Sequence, residues 1–216
     1  PEEVVECWNG SEVNKPKQSA TDPNIYEIEF PSELAWLAAA VNGTLPETKA
    51  AVMADSYAGK TFVLMNDIDL CGYEWTPIGS SANPFQGTFD GNGKTVKNLV
   101  VTGNNSNVGL FGNTNSGEIK NLTVENAKVS GRLNVGVVAG QPYTSKYTNI
   151  TVTGHVEVNG MAYVGAVGGK NAYADWTNIT VNVDETSYVK ANSVENGTAY
   201  RTYVGGVVGF NGEGGH

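Results

Sequence analysis

Tyr147-Thr-Asn-Ile-Thr-Val152 is followed by Val164-Gly-Ala-Val-Gly-Gly169, and these two patterns alternate along much of the chain. The first returns as Val96-Lys-Asn-Leu-Val-Val101, Ile119-Lys-Asn-Leu-Thr-Val124 and Trp176-Thr-Asn-Ile-Thr-Val181. The second returns as Val108-Gly-Leu-Phe-Gly112, Val135-Gly-Val-Val-Ala-Gly140 and Val204-Gly-Gly-Val-Val-Gly209. The leading glycines, Gly109, Gly136, Gly165 and Gly205, are 27, 29 and 40 residues apart, and Asn98, Asn121, Asn149 and Asn178 are 23, 28 and 29 apart. Self-similarity at such a period is the mark of a solenoid in which one repeat is one coil. The runs are short, rich in Val, Ile and Thr, and broken by Gly and Asn, so they read as strands joined by turns. Stacked coils form parallel sheets with strands about 4.8 Å apart, and parallel crossovers are right-handed in nearly all proteins. The expected fold is therefore all-β, a right-handed parallel β-helix.

Stacking also assigns columns, because equivalent residues of successive coils lie above one another. Leu99, Leu122, Ile150 and Ile179 are expected in one interior column, and Val101, Val124, Val152 and Val181 in the next. Asn98, Asn121, Asn149 and Asn178 would form an amide ladder that satisfies the backbone at a corner. The four leading glycines suit corners that need a positive φ or close backbone approach.

Upstream the pattern changes. From Pro31 to Asn42, Leu34, Leu37, Ala38 and Val41 recur at helical spacing between a starting Pro31 and a terminating Gly43. A weaker helical stretch runs from about Pro46 to Tyr57. A helical region before the repeats is best placed to cap the solenoid's open end. The chain thus divides into an N-terminal segment with a helical cap, residues 1–60, and continuous β-helix repeats, residues 61–216.

Composition narrows the partners. With 13 basic and 22 acidic side chains the net charge is −9, which disfavours a nucleic acid. No run approaches the ~20 apolar residues of a membrane helix, and the N-terminus lacks the layout of a signal peptide. Cys7 and Cys71 lie 64 residues apart. That separation suits neither a redox pair nor a zinc site; it leaves two isolated thiols, the plainer reading, or a disulfide clamping the N-terminal segment.

Few residues carry the chemistry of catalysis or metal binding. Gly87-Thr-Phe-Asp-Gly-Asn-Gly-Lys-Thr95 has the wrong spacing for a phosphate loop, and a strand follows it rather than a helix. Asp67 and Asp69, two apart on a strand, face one way and could bridge calcium, though solvated carboxylates or corner caps are the simpler expectation. The two histidines are His155 and His216, so a triad or His-based metal site would rest on His155 alone. Neither a catalytic set nor a metal or cofactor is expected. Aromatics are more suggestive, because rings stack on sugars and anchor protein partners. Tyr147 and Trp176 fall in an interior column with Val96 and Ile119. Tyr143, Tyr173, Tyr188, Tyr200 and Tyr203 fall outside the columns or within the extended segment 182–203, and are the candidate binding residues.

Tyr26-Glu-Ile, Glu33-Leu-Ala-Trp-Leu-Ala38, Asn66-Asp-Ile-Asp-Leu70, Trp75-Thr-Pro-Ile-Gly79, Phe85-Gln-Gly-Thr-Phe-Asp-Gly-Asn-Gly93 and Val108-Gly-Leu-Phe-Gly112 together resemble the GLUG-motif proteins of bacterial surfaces, commonly labelled adhesins. The resemblance spans roughly residues 26 to 210. It implies a β-helix, an exported and often lipid-anchored protein at the cell surface, outer membrane or outside the cell, and a binding role without a catalytic motif. Phe30 departs from the polar helix cap usual in that family. The expected function is an adhesin-like protein that recognises a host glycan or surface protein through its loops. A structural stalk of a larger surface protein is the alternative, and a carbohydrate-active enzyme a more distant one. An open C-terminal edge would also invite edge-to-edge pairing with another chain.

Overall fold

The computed structural model describes residues 6–45, 55–192, 194, 195, 198, 199 and 201–212. It is a parallel β-helix with a helical cap, in accord with the repeat pattern. On its first side, strands Ile25–Ile28, Thr61–Leu64, Thr88–Asp90, the first part of Glu118–Ser130, the first part of Lys146–Gly160, and Asp175–Val183 stack in parallel. The same sheet bends at a corner. Beyond it stack Ile68–Asp69, Thr95–Val101, the later parts of the two long strands, and Tyr188–Ala191. A second sheet holds Phe111–Asn115, Ala139–Tyr143, Gly168–Asn171 and Val208–Asn211. A third holds Leu133–Gly136, Ala162–Gly165 and Val204–Gly205. Sheet pairing runs across residue 60, since Ile25–Ile28 lies beside Thr61–Leu64.

Within the coils, Leu122, Ile150 and Ile179 share a column, as do Val124, Val152 and Val181. One rung departs from the expected register. Val96, not Val101, stands opposite Val124, and Leu99 stands opposite Ala127. Asn98 therefore falls beside Asn126, and Phe89 rather than Val96 stands opposite Ile119. The cause is that each long strand turns two corners. Asn121 and Asn126 both adopt left-handed backbone, at φ 53 and 55, and Lys97-Asn98-Leu99 resembles the sequence at the first corner while occupying the second. The resulting column runs Phe62, Phe89, Ile119, Tyr147 and Trp176 along the core. Tyr147 is fully buried and stacks on Trp176 with ring centroids 4.1 Å apart.

The asparagines do form ladders. Asn178 Nδ2 donates to Asn149 Oδ1 at 2.8 Å, Asn149 Nδ2 to Asn121 Oδ1 at 2.8 Å, and Asn121 Nδ2 to Asp90 Oδ1 at 3.0 Å. Asn98 belongs to the neighbouring ladder and donates to Asp69 Oδ1 at 2.8 Å. Asparagine suits these corners twice over, because it tolerates left-handed backbone and its amide both donates and accepts. The leading glycines are needed for close approach instead. A Cβ on Gly136 would stand 2.7 Å from Gly168 Cα, while none of the four has a positive φ.

The helix Pro31–Asn42 forms where expected and ends at Gly43, whose φ is 71. Phe30 offers no side-chain cap, and Glu33 takes over that task. Its Oε2 accepts from the Glu29 and Phe30 amides at 2.6 and 3.1 Å. Of the weaker helical stretch, residues 46–54 lie outside the described residues, and Asp55–Tyr57 is not helical.

The two cysteines are not isolated thiols. Cys7 and Cys71 form a disulfide with Cα atoms 5.7 Å apart, within the range such bonds require. Residue 7 runs parallel to Asp69 as an extra rung, with the Trp8 amide donating to Asp69 O at 3.1 Å. The left-handed turn at Cys71, φ 53, lies just beyond that rung. Sequence separation alone does not reveal that the chain doubles back in this register.

Candidate functional site

Rings gather on the outer side of the second and third sheets, at their later coils. On the second sheet Asn113, Gln141, Lys170 and Phe210 share a column. Tyr143 lies two residues beyond Gln141 on the same strand and so points the same way. Tyr143 and Tyr173 are 44% and 51% exposed and meet edge to face with centroids 5.8 Å apart. Tyr163 and Tyr203 stack 5.3 Å apart, and Phe210 packs against both at 5.4 and 5.0 Å. Lys170 Nζ stands 5.4 Å from the Tyr163 ring centre. The result is an aromatic surface with one ammonium beside it.

Tyr163 is out of place architecturally. In the third sheet Val108, Val135 and Val164 are register partners, so Asn107, Asn134 and Tyr163 occupy equivalent corners. All three are left-handed, at φ 61, 56 and 57. Asn134 Nδ2 donates to Asn107 Oδ1, and Asn107 Nδ2 to Ser81 Oγ at 3.0 Å. An asparagine at position 163 would continue this ladder. With Tyr163 there, Asn134 Oδ1 is buried and accepts no hydrogen bond from the described residues. A bulky side chain in left-handed backbone costs about 1–3 kcal/mol, and an unsatisfied buried acceptor about as much again.

Of the five candidate tyrosines, Tyr143, Tyr173 and Tyr203 fall on this surface. Tyr143 lies within a strand column, beside Asn115 and Ala172, rather than outside the columns. Tyr188 is on another side of the coil, where its hydroxyl donates to Glu157 Oε2 at 3.2 Å. Tyr200 lies outside the described residues. Tyr163 and Phe210 were not singled out from the sequence. The exchange of Asn for Tyr at position 163 is the signal that aligned repeats could have offered.

A second polar cluster surrounds His155. Its Nδ1 is 3.2 Å from Asp184 Oδ2 and its Nε2 is 3.3 Å from Glu157 Oε1, while Lys128 Nζ is 3.1 Å from Glu157 Oε2. Glu157 and Asp184 are brought together because the ladder shifts register between Thr153 and Val156 and the Asp184 amide bonds Gly154 O. The hydrogen bond to Glu157, aided by Asp184, holds the His155 pKa above its ordinary 6.5. Glu157 is lowered, mainly by His155 and Lys128, and Asp184 falls to about 2, mainly through the Thr186 hydroxyl. The histidine's contribution to stability is complete below 6.5 and is lost as pH rises through its higher folded value. The carboxylates contribute above their ordinary 4.5 and 3.8 and lose that contribution as pH falls through their folded values. An NMR titration of His155 is expected to show a midpoint above 6.5, and Glu157→Gln to lower it. An unchanged midpoint in that variant would contradict the geometry.

Asp67 and Asp69 serve the corners. Asp67 accepts from the Thr95 amide at 2.9 Å and pairs with Lys97 at 3.2 Å. Asp69 Oδ1 accepts from the Cys71 amide at 2.7 Å as well as from Asn98. Among the described residues no group of three or more His, Cys, Asp or Glu side chains could hold a metal, and no helix is long and apolar enough to cross a membrane.

No family model matches the chain. A 90-residue stretch is 43% identical to Halomucin of Haloquadratum walsbyi, covering 39% of this chain and 1% of that protein. Another 100-residue match is 35% identical to a "Putative Gly-rich membrane protein" of Evansella cellulosilytica, covering 39% of this chain and 11% of that one. The chain thus spans a small fraction of the curated relatives it matches. Among solved structures, one described as "a putative immunoglobulin A1 protease" from Bacteroides ovatus superposes with a TM-score of 0.52 at 17% identity, over 94% of this chain and 66% of that one. At that identity the likeness is one of fold, and the fold it supports is the β-helix derived from the repeats.

Proposed function

We propose that this chain is a non-catalytic, adhesin-like binding segment of a cell-surface or secreted protein, and that the aromatic surface of its later coils engages a host glycan or surface protein. The observation that carries this reading is Tyr163, which interrupts an amide ladder, occupies left-handed backbone and leaves Asn134 Oδ1 unsatisfied. Stability sacrificed at one half-buried corner, in favour of a ring that completes an aromatic cluster, is the pattern of a binding site. The names of the relatives, Halomucin and a Gly-rich membrane protein, support a surface location. So does the Cys7–Cys71 disulfide, which suits an oxidising compartment.

Two physical arguments favour a non-catalytic role over a glycosidase or a protease. A glycosidase pair needs one carboxyl kept protonated as the acid, whereas Glu157 and Asp184 are both pushed down. A nucleophile needs a free base. Thr186 Oγ1 lies 3.0 Å from His155 Nδ1 but donates to Asp184 Oδ1 at 2.8 Å.

The test pairs stability with binding. Tyr163→Asn should extend the ladder and raise unfolding free energy by about 1–2 kcal/mol. It should also weaken whatever binding a glycan and matrix-protein array detects, as should Tyr143→Ala combined with Tyr173→Ala. Array ligands held equally by all three proteins, or no ligand at micromolar concentration, would favour the stalk instead.

A further inference from the structure

We infer that the aromatic surface selects acidic oligosaccharides, whose sugars carry a carboxylate or a sulfate ester, and that Lys170 is the residue that reads the charge. The inference rests on that surface being the binding site and adds the ligand class. Lys170 is the only charged residue in the strands of the second and third sheets, none of which contains Asp or Glu. Elsewhere on the coils lysines are paired. Lys97, Lys120 and Lys128 meet Asp67, Glu118 and Glu157 at 3.2, 3.3 and 3.1 Å. Lys170 has no carboxylate partner among the described residues and is held by the Tyr163 ring instead. A ring attracts an ammonium without neutralising it, so the positive charge is left for a ligand.

Exposed rings stand within reach of this charge. Tyr143 lies beside Ala172, two residues past Lys170. With a rise of about 3.3 Å per residue and strands about 4.8 Å apart, the Cα atoms of Tyr143 and Lys170 are about 8 Å apart, a distance that one disaccharide spans. Tyr143 and Tyr173, each about half exposed, offer rings to the apolar face of a sugar, while Lys170 meets its anionic group. Gln141 shares the column of Lys170 and lies between Asn113 and that lysine. Its Oε1 accepts from Asn113 Nδ2 at 3.3 Å, and its Nε2 meets no acceptor among the described residues. That amide is available to donate to a sugar hydroxyl.

Other ligand classes fit less well. Nucleic acids need several cations, and the strands of this face supply one. An extended peptide binds a sheet by adding main-chain hydrogen bonds at an edge, whereas the strands that carry Gln141, Tyr143 and Lys170 are paired on both sides. A neutral sugar would stack on the tyrosines and leave the ammonium without a counter-charge. The net charge of −9 does not stand in the way, because no acidic residue belongs to these strands and charge farther off is screened over about 8 Å at physiological salt.

The experiment is an NMR titration of the isotopically labelled chain with sialyllactose, sulfated lactose, trigalacturonate, plain lactose and a tetraglutamate peptide. At least one acidic sugar is expected to shift the ring resonances of Tyr143 and Tyr173 and the side-chain resonances of Lys170, with affinity at least about tenfold above lactose, as one charged hydrogen bond supplies. The carboxylated and sulfated arms show which anionic group is preferred. Lys170→Gln should bring that sugar down to the affinity of lactose, and Lys170→Arg should keep most of it. Raising salt from about 0.1 to about 1 M should weaken wild type and leave Lys170→Gln unmoved. Lactose held as tightly as its acidic forms, acidic sugars indifferent to Lys170→Gln, or preference for the peptide would overturn the inference while leaving the aromatic surface a binding site. Tyrosine resonances that no sugar moves would overturn it too, and the array with Tyr143→Ala and Tyr173→Ala combined would then decide the broader reading by itself.

Discussion

Replacing Cys7 by serine is expected to lower the free energy of unfolding by about 4 kcal/mol, the chain-entropy value for a loop closed across 64 residues. The loop is long because the bond joins the rung at residue 7 to a corner that follows Thr61–Leu64 and Ile68–Asp69, with the whole helical cap between them. Trp8 depends on the same anchor. It is 7% exposed and meets Trp75 edge to face at 5.7 Å, so release of the bond also loosens an aromatic contact at the cap. Urea unfolding of wild type with and without reductant, beside Cys7→Ser, measures the effect. Reductant should bring wild type to the midpoint of the variant and leave the variant itself unmoved. A loss below about 1 kcal/mol would mean that the N-terminal rung is held by packing alone.

Phe89→Ala should cost about 3–5 kcal/mol, the range for emptying a fully buried aromatic site. Phe89 is 0% exposed, stands between Phe62 and Ile119 in its column, and packs edge to face on Phe111 at 5.3 Å. Two sheets therefore lose a contact at once, and rungs above and below hold the cavity open. Trp176, at the far end of the same column, is only partly buried, so Trp176→Ala should cost clearly less despite the larger ring. Comparable losses at the two positions, measured by denaturant midpoint and slope, would show that the column is not stacked as described.

Much of the fold was legible because a solenoid writes its geometry into the spacing of its residues. The glycine and valine columns follow directly from recurrence, and the helix follows from Pro31, Gly43 and the apolar positions between them. The misplaced rung shows where recurrence misleads. Lys97-Asn98-Leu99 matches Lys120-Asn121-Leu122 letter for letter, yet the structural partner of Asn98 is Asn126. Asn98 and Asn121 are separated by 23 residues, whereas the ladder Asn121, Asn149 and Asn178 advances by 28 and 29. The distance from Asn98 to Asn126 is 28, so spacing was the better guide than identity of letters.

The binding surface was less legible, for a physical reason. Tyr143, Tyr173 and Tyr203 stood out as aromatics beyond the interior columns, but what gathers them is the meeting of two outer sheet faces, which no single repeat encodes. Tyr188 looked equivalent and is instead tied to Glu157. The disulfide stood in the sequence as the second of two readings, and what decides for it is how the N-terminal segment folds back on the first coils.

The stacking register itself is open to direct measurement through backbone proton contacts between strands, observed by NMR in a deuterated, amide-protonated sample. The account predicts contacts linking Val96 to Val124, Val124 to Val152 and Val152 to Val181, in a parallel pattern. Contacts of Val124 with Val101, or an antiparallel pattern along these strands, would contradict it.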